Sequence, residues 1–169
     1  MDMDYLINAC EIDVAPQIMV AIVKTESGGN PWVINDNTAK RVFKMSDRQT
    51  TILQAKALLA KGHNIDVGLA QINSNNLASL GLSVEEVIEP CTNLKASAAI
   101  LKKFYKLGAA KFTTPQQALF YSFAAYNSGS FNRSHSYASK VWRVAFGEAG
   151  FTKPDKPTPY KAPIMVEIW

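Results

Sequence analysis

Pro16-Gln17-Ile18-Met19-Val20-Ala21-Ile22-Val23-Lys24-Thr25-Glu26-Ser27-Gly28-Gly29 is a helix with its start and stop written into it. A proline in the first turn loses no hydrogen bond there, and a glycine pair supplies the left-handed exit. Ile18, Ala21 and Ile22 recur at helical spacing, so the helix should run to about Ser27. The same reading, carried outward, cuts the chain into further short helices. Ser46 with Gln49, and Ser83 with Glu86, have the spacing of capping boxes. The first precedes a helix bearing Ile52, Ala55, Leu58 and Leu59 that stops at Gly62. The second precedes Val84, Val87 and Ile88. Thr92 is placed to cap a helix with Leu94, Ala98, Leu101 and Tyr105, ended by Gly108. Thr114-Pro115 with Gln117 opens an apolar helix from Ala118 to Tyr126, closed by Asn127-Ser128-Gly129. A last helix runs from about Tyr137 to Phe146, with Val141, Trp142 and Ala145 inward.

Between these elements, residues 30–45 lack helical period. Pro31, Asn35, Asp36 and Asn37 break the chain, and Arg41-Val42-Phe43-Lys44-Met45 alternates as a small hairpin or loop excursion would. Pro154, Pro157, Pro159 and Pro163 mark an extended tail rather than core. The expectation is a mainly α domain over residues 1–150 with a β or loop excursion near 30–45, then a tail over 151–169.

Composition narrows the class. With 169 residues, 47% apolar and 19% charged, the chain is long enough for a real core and too apolar for disorder. No apolar run reaches the roughly 18 residues of a membrane span. The net charge of +4 would favour an anionic polymer. It is too scattered for nucleic acid, having no Lys/Arg run and no basic stripe interleaved with aromatics. Two cysteines, Cys10 and Cys91, in neither C-x-x-C spacing nor a His cluster, point away from a metal site. They form either a disulfide or two buried thiols. His63 and His135 read as solvated or capping residues. Met1-Asp2-Met3-Asp4 has none of the pattern of a signal peptide, so an exported protein would be represented here without its leader or reach its compartment by another route.

Glu26 is the odd residue. It ends an apolar helix, where the macrodipole favours cations, and both that dipole and partial burial would raise its pKa. A carboxylic acid that keeps its proton near neutral pH is what glycosidic cleavage needs, because the leaving oxygen must be protonated. Two further segments carry groups suited to sugars. Asp66-Val67-Gly68-Leu69-Ala70-Gln71-Ile72-Asn73, followed by Asn75 and Asn76, places amides at spacing two, which can present donors and acceptors from one face. Ala124-Ala125-Tyr126-Asn127-Ser128-Gly129 places a phenol and an amide at a helix end.

In this order, Glu26-Ser27-Gly28-Gly29, Gly68-Leu69-Ala70-Gln71-Ile72-Asn73 and Ala125-Tyr126-Asn127-Ser128-Gly129 resemble the three signature motifs of the soluble lytic transglycosylases, on the lysozyme-like fold. Gly62-His63-Asn64-Ile65-Asp66, Asn76-Leu77, Leu80-Gly81-Leu82 and Pro90-Cys91-Thr92-Asn93-Leu94 are similar to the VirB-type branch, which cuts cell wall for type IV secretion and conjugation systems. The resemblance covers about residues 5–147. It departs at Ala70, where the wider family usually has Met, which bears on subsite detail. It implies Glu26 as acid and then base, and Ser27 bonded near it or to substrate. Gln71 and Asn73 would line the cleft beside Gly68, with Tyr126 steering the Glu26 carboxyl and Asn127 shaping the same wall. It also implies a Cys10–Cys91 disulfide, a periplasmic location and peptidoglycan strands as the partner. Other type IV secretion components would be further partners. It implies no cofactor, no metal and no nucleic acid.

The residues offer Asp36, Asp47 and Asp66 as second carboxylates, Asp66 foremost, although a turn or cap role suits it as well. The resemblance implies that none is required: the substrate's N-acetyl oxygen attacks the anomeric carbon, and a 1,6-anhydro ring closes on the muramic acid. Two alternatives stand beside this. One is a muramidase in which Asp66 or Asp36 positions water. The other is a non-catalytic wall-binding or secretion-assembly protein.

Overall fold

The computed structural model describes residues 2–148. The tail expected over 151–169 lies outside the described residues. Among the described residues eight α-helices and four short strands follow one another. They are α1 (Met3–Ala9), α2 (Pro16–Glu26), β1 (Val33–Asp36), β2 (Arg41–Lys44), α3 (Arg48–Ala60), β3 (Ile65–Val67), β4 (Ile72–Asn73), α4 (Leu77–Leu80), α5 (Val84–Val87), α6 (Pro90–Ala109), α7 (Pro115–Ser128) and α8 (His135–Phe146). Among the described residues no helix is long and apolar enough to cross a membrane.

Local chemistry sets most boundaries. Pro16 opens α2, and Gly28 (φ 65°) and Gly29 (φ 86°) end it. Both halves of the capping boxes at Ser83/Glu86 and Thr114/Gln117 form. Three expected signals are corrected. Asp47, not Ser46, caps α3: its carboxylate accepts from Thr50 N–H at 2.8 Å, and a charged acceptor at a helix start outcompetes a hydroxyl. Helix α6 begins at Pro90, so Thr92 lies inside its first turn. Gly108 does not end α6. A Cβ there would stand 3.1 Å from Ala118 O and 3.3 Å from Ser122 Oγ, so the glycine lets the backbones of α6 and α7 meet.

Contacts divide the chain into two compact units. The first holds residues up to Ile12 and Ile22–Ser97. Its sheet, in order β2-β1-β3-β4, is antiparallel throughout. The excursion expected near 30–45 is therefore larger, because the segment around Gly68 returns as a second hairpin beside the first. Register sorts its two faces. Phe43, Ile34, Val67 and Ile72 stand opposite one another across the strands, and the last three are buried. The alternate row is Val42, Asn35, Asp66 and Asn73. Period-two alternation thus gives one apolar face and one mostly of amides and a carboxylate. Cys10 and Cys91 are joined by a disulfide, with Cα atoms 5.2 Å apart, tying the end of α1 to the start of α6.

The second unit holds Asp13–Ala21 and the chain from Ala98 onward. Ile18, Met19, Leu101, Phe120, Phe123 and Val141 are fully buried in it. Phe112 stacks on Tyr121 at 4.4 Å between ring centres, and Trp142 of α8 leans on Phe120 and Phe123 of α7.

Candidate functional site

Glu26 is the last residue of α2 and is half-buried. The turn after it is shaped by Ser27. That hydroxyl donates to Val23 O at 3.4 Å and accepts from Gly29 N–H at 3.2 Å, satisfying backbone at the helix end. On the other side of Gly29, a side chain would stand 3.7 Å from Met3 of α1.

The hairpin of β3 and β4 holds Gly68, Gln71 and Asn73. Gly68 has φ 82°, and a Cβ there would fall 2.2 Å from Asn93 Nδ2. Asn93 is fully buried. Its amide donates to Val67 O at 3.0 Å and Val87 O at 2.8 Å, and its oxygen accepts from Ala70 N–H at 2.8 Å. One side chain thus fixes the end of β3, the turn that follows it and the end of α5. Asn93 lies in one of the segments that carry the resemblance, which implies no role for its side chain. An asparagine buried one turn into an apolar helix was the clue available, since such an amide must find backbone partners.

Gln71 takes a left-handed backbone, φ 49°, uncommon outside glycine. Its amide donates to Gly68 O at 2.8 Å and Val33 O at 3.2 Å, which locks the side chain across the hairpin and onto β1. Asn73 belongs to the polar face. Its amide donates to Asp66 Oδ1 at 2.6 Å and Asn64 Oδ1 at 2.9 Å, and its oxygen accepts from Asn75 N–H at 2.9 Å. Asn37 and Asn35 donate to Asp66 Oδ2 at 2.9 and 3.4 Å. Asp66 is therefore neither a turn nor a cap residue. It is the acceptor at the centre of an amide network within the sheet.

Asp36 is likewise occupied. It is 1% exposed; Oδ1 accepts from Thr38 and Ala39 N–H at 3.0 Å each, and Oδ2 meets His63 Nδ1 at 2.8 Å. Burial pushes its pKa up, but the Ala39 N–H, the hydrogen bond and charge of His63, and the Thr38 N–H outweigh burial and hold the carboxyl below its ordinary value. His63 is thus not a solvated or capping residue but the partner of a buried carboxylate. Asp47 is exposed and committed to the α3 cap. His135 starts α8 and shares a hydrogen bond with Phe131 O at 2.9 Å.

In the second unit, Tyr126 lies two residues before the end of α7 and is half-buried, and the next residue, Asn127, is exposed. Gly129, φ 70°, terminates the helix.

A mainly helical chain with a small antiparallel sheet, and a glutamate closing an apolar helix ahead of a glycine turn, defines a lysozyme-like domain. Residues 6–143 match the transglycosylase SLT domain, and the chain belongs to that family. It is 36% identical to the type IV secretion system protein virB1 of Brucella abortus biovar 1 (strain 9-941) over 144 residues, 80% of this chain and 60% of that protein. It is 34% identical to protein virB1 of Rhizobium radiobacter over 146 residues, covering 85% and 61%. With protein virB1 of Agrobacterium fabrum (strain C58 / ATCC 33970) the identity is 33% over 138 residues, covering 80% and 56%. The chain thus spans about three fifths of the length of the curated relatives it matches. No solved structure matches it.

Proposed function

We propose that this chain is a peptidoglycan lytic transglycosylase whose domain spans residues 1–150, with Glu26 as its single catalytic acid and base. Its substrate is the β-1,4 bond between N-acetylmuramic acid and N-acetylglucosamine. Glu26 protonates the leaving oxygen while the N-acetyl oxygen of the substrate attacks the anomeric carbon. The ionised Glu26 then takes the proton of the muramic 6-hydroxyl, whose oxygen displaces the N-acetyl oxygen from the anomeric carbon and closes the 1,6-anhydro ring. An intramolecular nucleophile brings a high effective concentration without a second protein group. Gln71, Asn73, Tyr126 and Asn127 contact the sugar.

The observation that carries this reading is the state of the other carboxylates. Asp36 and Asp66 already accept on both oxygens from donors of the sheet and its loops. Each thus uses three of the roughly four acceptor sites of a carboxylate on the fold itself, which weighs against either as the base of a hydrolytic alternative. The family match and the virB1 relatives support placement in a type IV secretion or conjugation apparatus. The disulfide suits a periplasmic location, where such bonds persist.

Mass analysis of digested sacculi tests the chemistry: anhydro-muropeptides are expected, and exclusively reducing-end products would make the enzyme a hydrolase. Glu26→Gln should fold as the parent and lose turnover by about 10³-fold or more, since an amide has no proton to give. Undiminished wall digestion by that variant would remove Glu26 from the mechanism.

A further inference from the structure

We propose that the β1–β2 hairpin is a docking edge for the acidic peptide stems of the wall, so that the enzyme selects peptide-bearing strands over bare glycan. This rests on the wall-cutting function above and adds which strands are chosen. Residues 37–46 contain Lys40, Arg41 and Lys44 and no acidic residue. All three cations are exposed. Among the described residues none of them enters an ion pair. The adjoining Asp36 cannot neutralise them, because its carboxylate is buried and held by Thr38, Ala39 and His63.

The charges also have an order. Among the described residues strand β2 is the outer strand of the sheet, and one of its edges faces no further strand. An extended peptide can add there through its main chain. Lys40 and Arg41 stand at one end of that edge and Lys44 at the other, roughly 10 Å apart at the usual rise per residue. Arg41 lies over the Phe43 ring, 5.2 Å from its centre, which fixes its charge beside the strand. Val42 between them is 62% exposed and gives the edge an apolar contact. A wall stem is a short peptide with several free carboxylates, which complements this pattern. The hairpin is also anchored beside the candidate site: Val33 lies seven positions after Glu26, and its carbonyl accepts from Gln71.

Cations on an outer strand can serve only to discourage self-pairing, and the test separates that role. Binding to intact sacculi and to amidase-stripped, peptide-free sacculi is measured by co-sedimentation at low and high salt, and cutting of both is measured alongside. The variant Lys40→Gln/Arg41→Gln/Lys44→Gln is compared with the parent, and light scattering checks that it stays monodisperse. The parent should bind and cut the peptide-bearing wall about tenfold better than the stripped wall, and salt should erase the preference. The variant should lose the preference and keep its activity on stripped glycan. Equal parent binding to both walls overturns the proposal, as does a variant that keeps the preference or loses both substrates alike. A parent that cuts neither wall but still binds the peptide-bearing one better, through these three residues, defeats the enzymatic reading and leaves the docking edge standing.

Discussion

Gly68→Ala should unfold the β3–β4 hairpin's support by a calculable amount. The added Cβ meets Asn93 Nδ2 at 2.2 Å and Cγ at 2.7 Å, and the backbone sits at φ 82°. The left-handed conformation costs an alanine about 1 kcal/mol. Relieving the contact requires Asn93 to move by more than an ångström, which breaks its bonds to Val67 O and Val87 O, each worth about 1 kcal/mol. The sum is about 3 kcal/mol, or a fall in Tm of roughly 6–12 °C for a domain of this size. Urea and thermal melts followed by circular dichroism measure it. A double-mutant cycle isolates the steric contact. Asn93→Ala alone removes three hydrogen bonds and should cost about 3 kcal/mol. In its background Gly68→Ala should add only the backbone cost of about 1 kcal/mol, leaving a coupling of about 2 kcal/mol. Additive losses, or a Gly68→Ala cost below about 1 kcal/mol, would refute the steric account.

Three further outcomes follow from the same coordinates. Cys10→Ser with Cys91→Ser opens a loop of 81 residues and should lower stability by about 4 kcal/mol, matched by treating the parent with a reductant; equal melting of oxidised and reduced parent would contradict it. Asp36, held below its ordinary value, adds stability that is complete above the unfolded-chain pKa of about 3.9 and lost as pH falls through the depressed native value. Asp36→Asn should therefore flatten the acid limb of a stability–pH profile, and parallel limbs would show that another group governs it. Asp66→Asn replaces one carboxylate oxygen with an amide nitrogen, so one or two of its three amide donors lose their acceptor; it should cost about 1–3 kcal/mol while leaving product identity unchanged, whereas a switch in product type by mass analysis would make Asp66 a chemical participant.

The helices were legible where a local signal is decisive. Proline at the start of α2, the glycine pair at its end and the two capping boxes at Ser83 and Thr114 each act over four residues or fewer, so sequence alone locates them. The misreadings arise where a tertiary contact outweighs the local rule. Gly108 has the look of a stop, yet it stays helical because α7 needs the space a side chain would fill. Ser46 and Asp47 are adjacent cap candidates, and only geometry chooses between them. Strands β3 and β4 have three and two residues, too short for alternation to declare itself, and register with β1 makes them strands. The family was legible as three motifs, but the jobs of Asn64, Asn93 and His63 were not, since each depends on a partner at least nine positions away. Of Gln71, Asn73 and Asn75, only Asn73 stands in the sheet's polar row, while Gln71 turns its amide across the hairpin. Asn35 and Asn37, which interrupt any helical period, bond to Asp66 beside Asn73.

The bridge between residues 10 and 91 closes a covalent ring. Glu26, both sheet hairpins and Gln71 lie inside that ring, while Tyr126 lies on the open arm beyond it. A protease nick between the two cysteines would therefore leave one molecule migrating as two pieces only after reduction. A nick past residue 91 would release the open arm's polypeptide from any covalent hold. Limited proteolysis run with and without thiol would sort cleavage sites into these two topological classes.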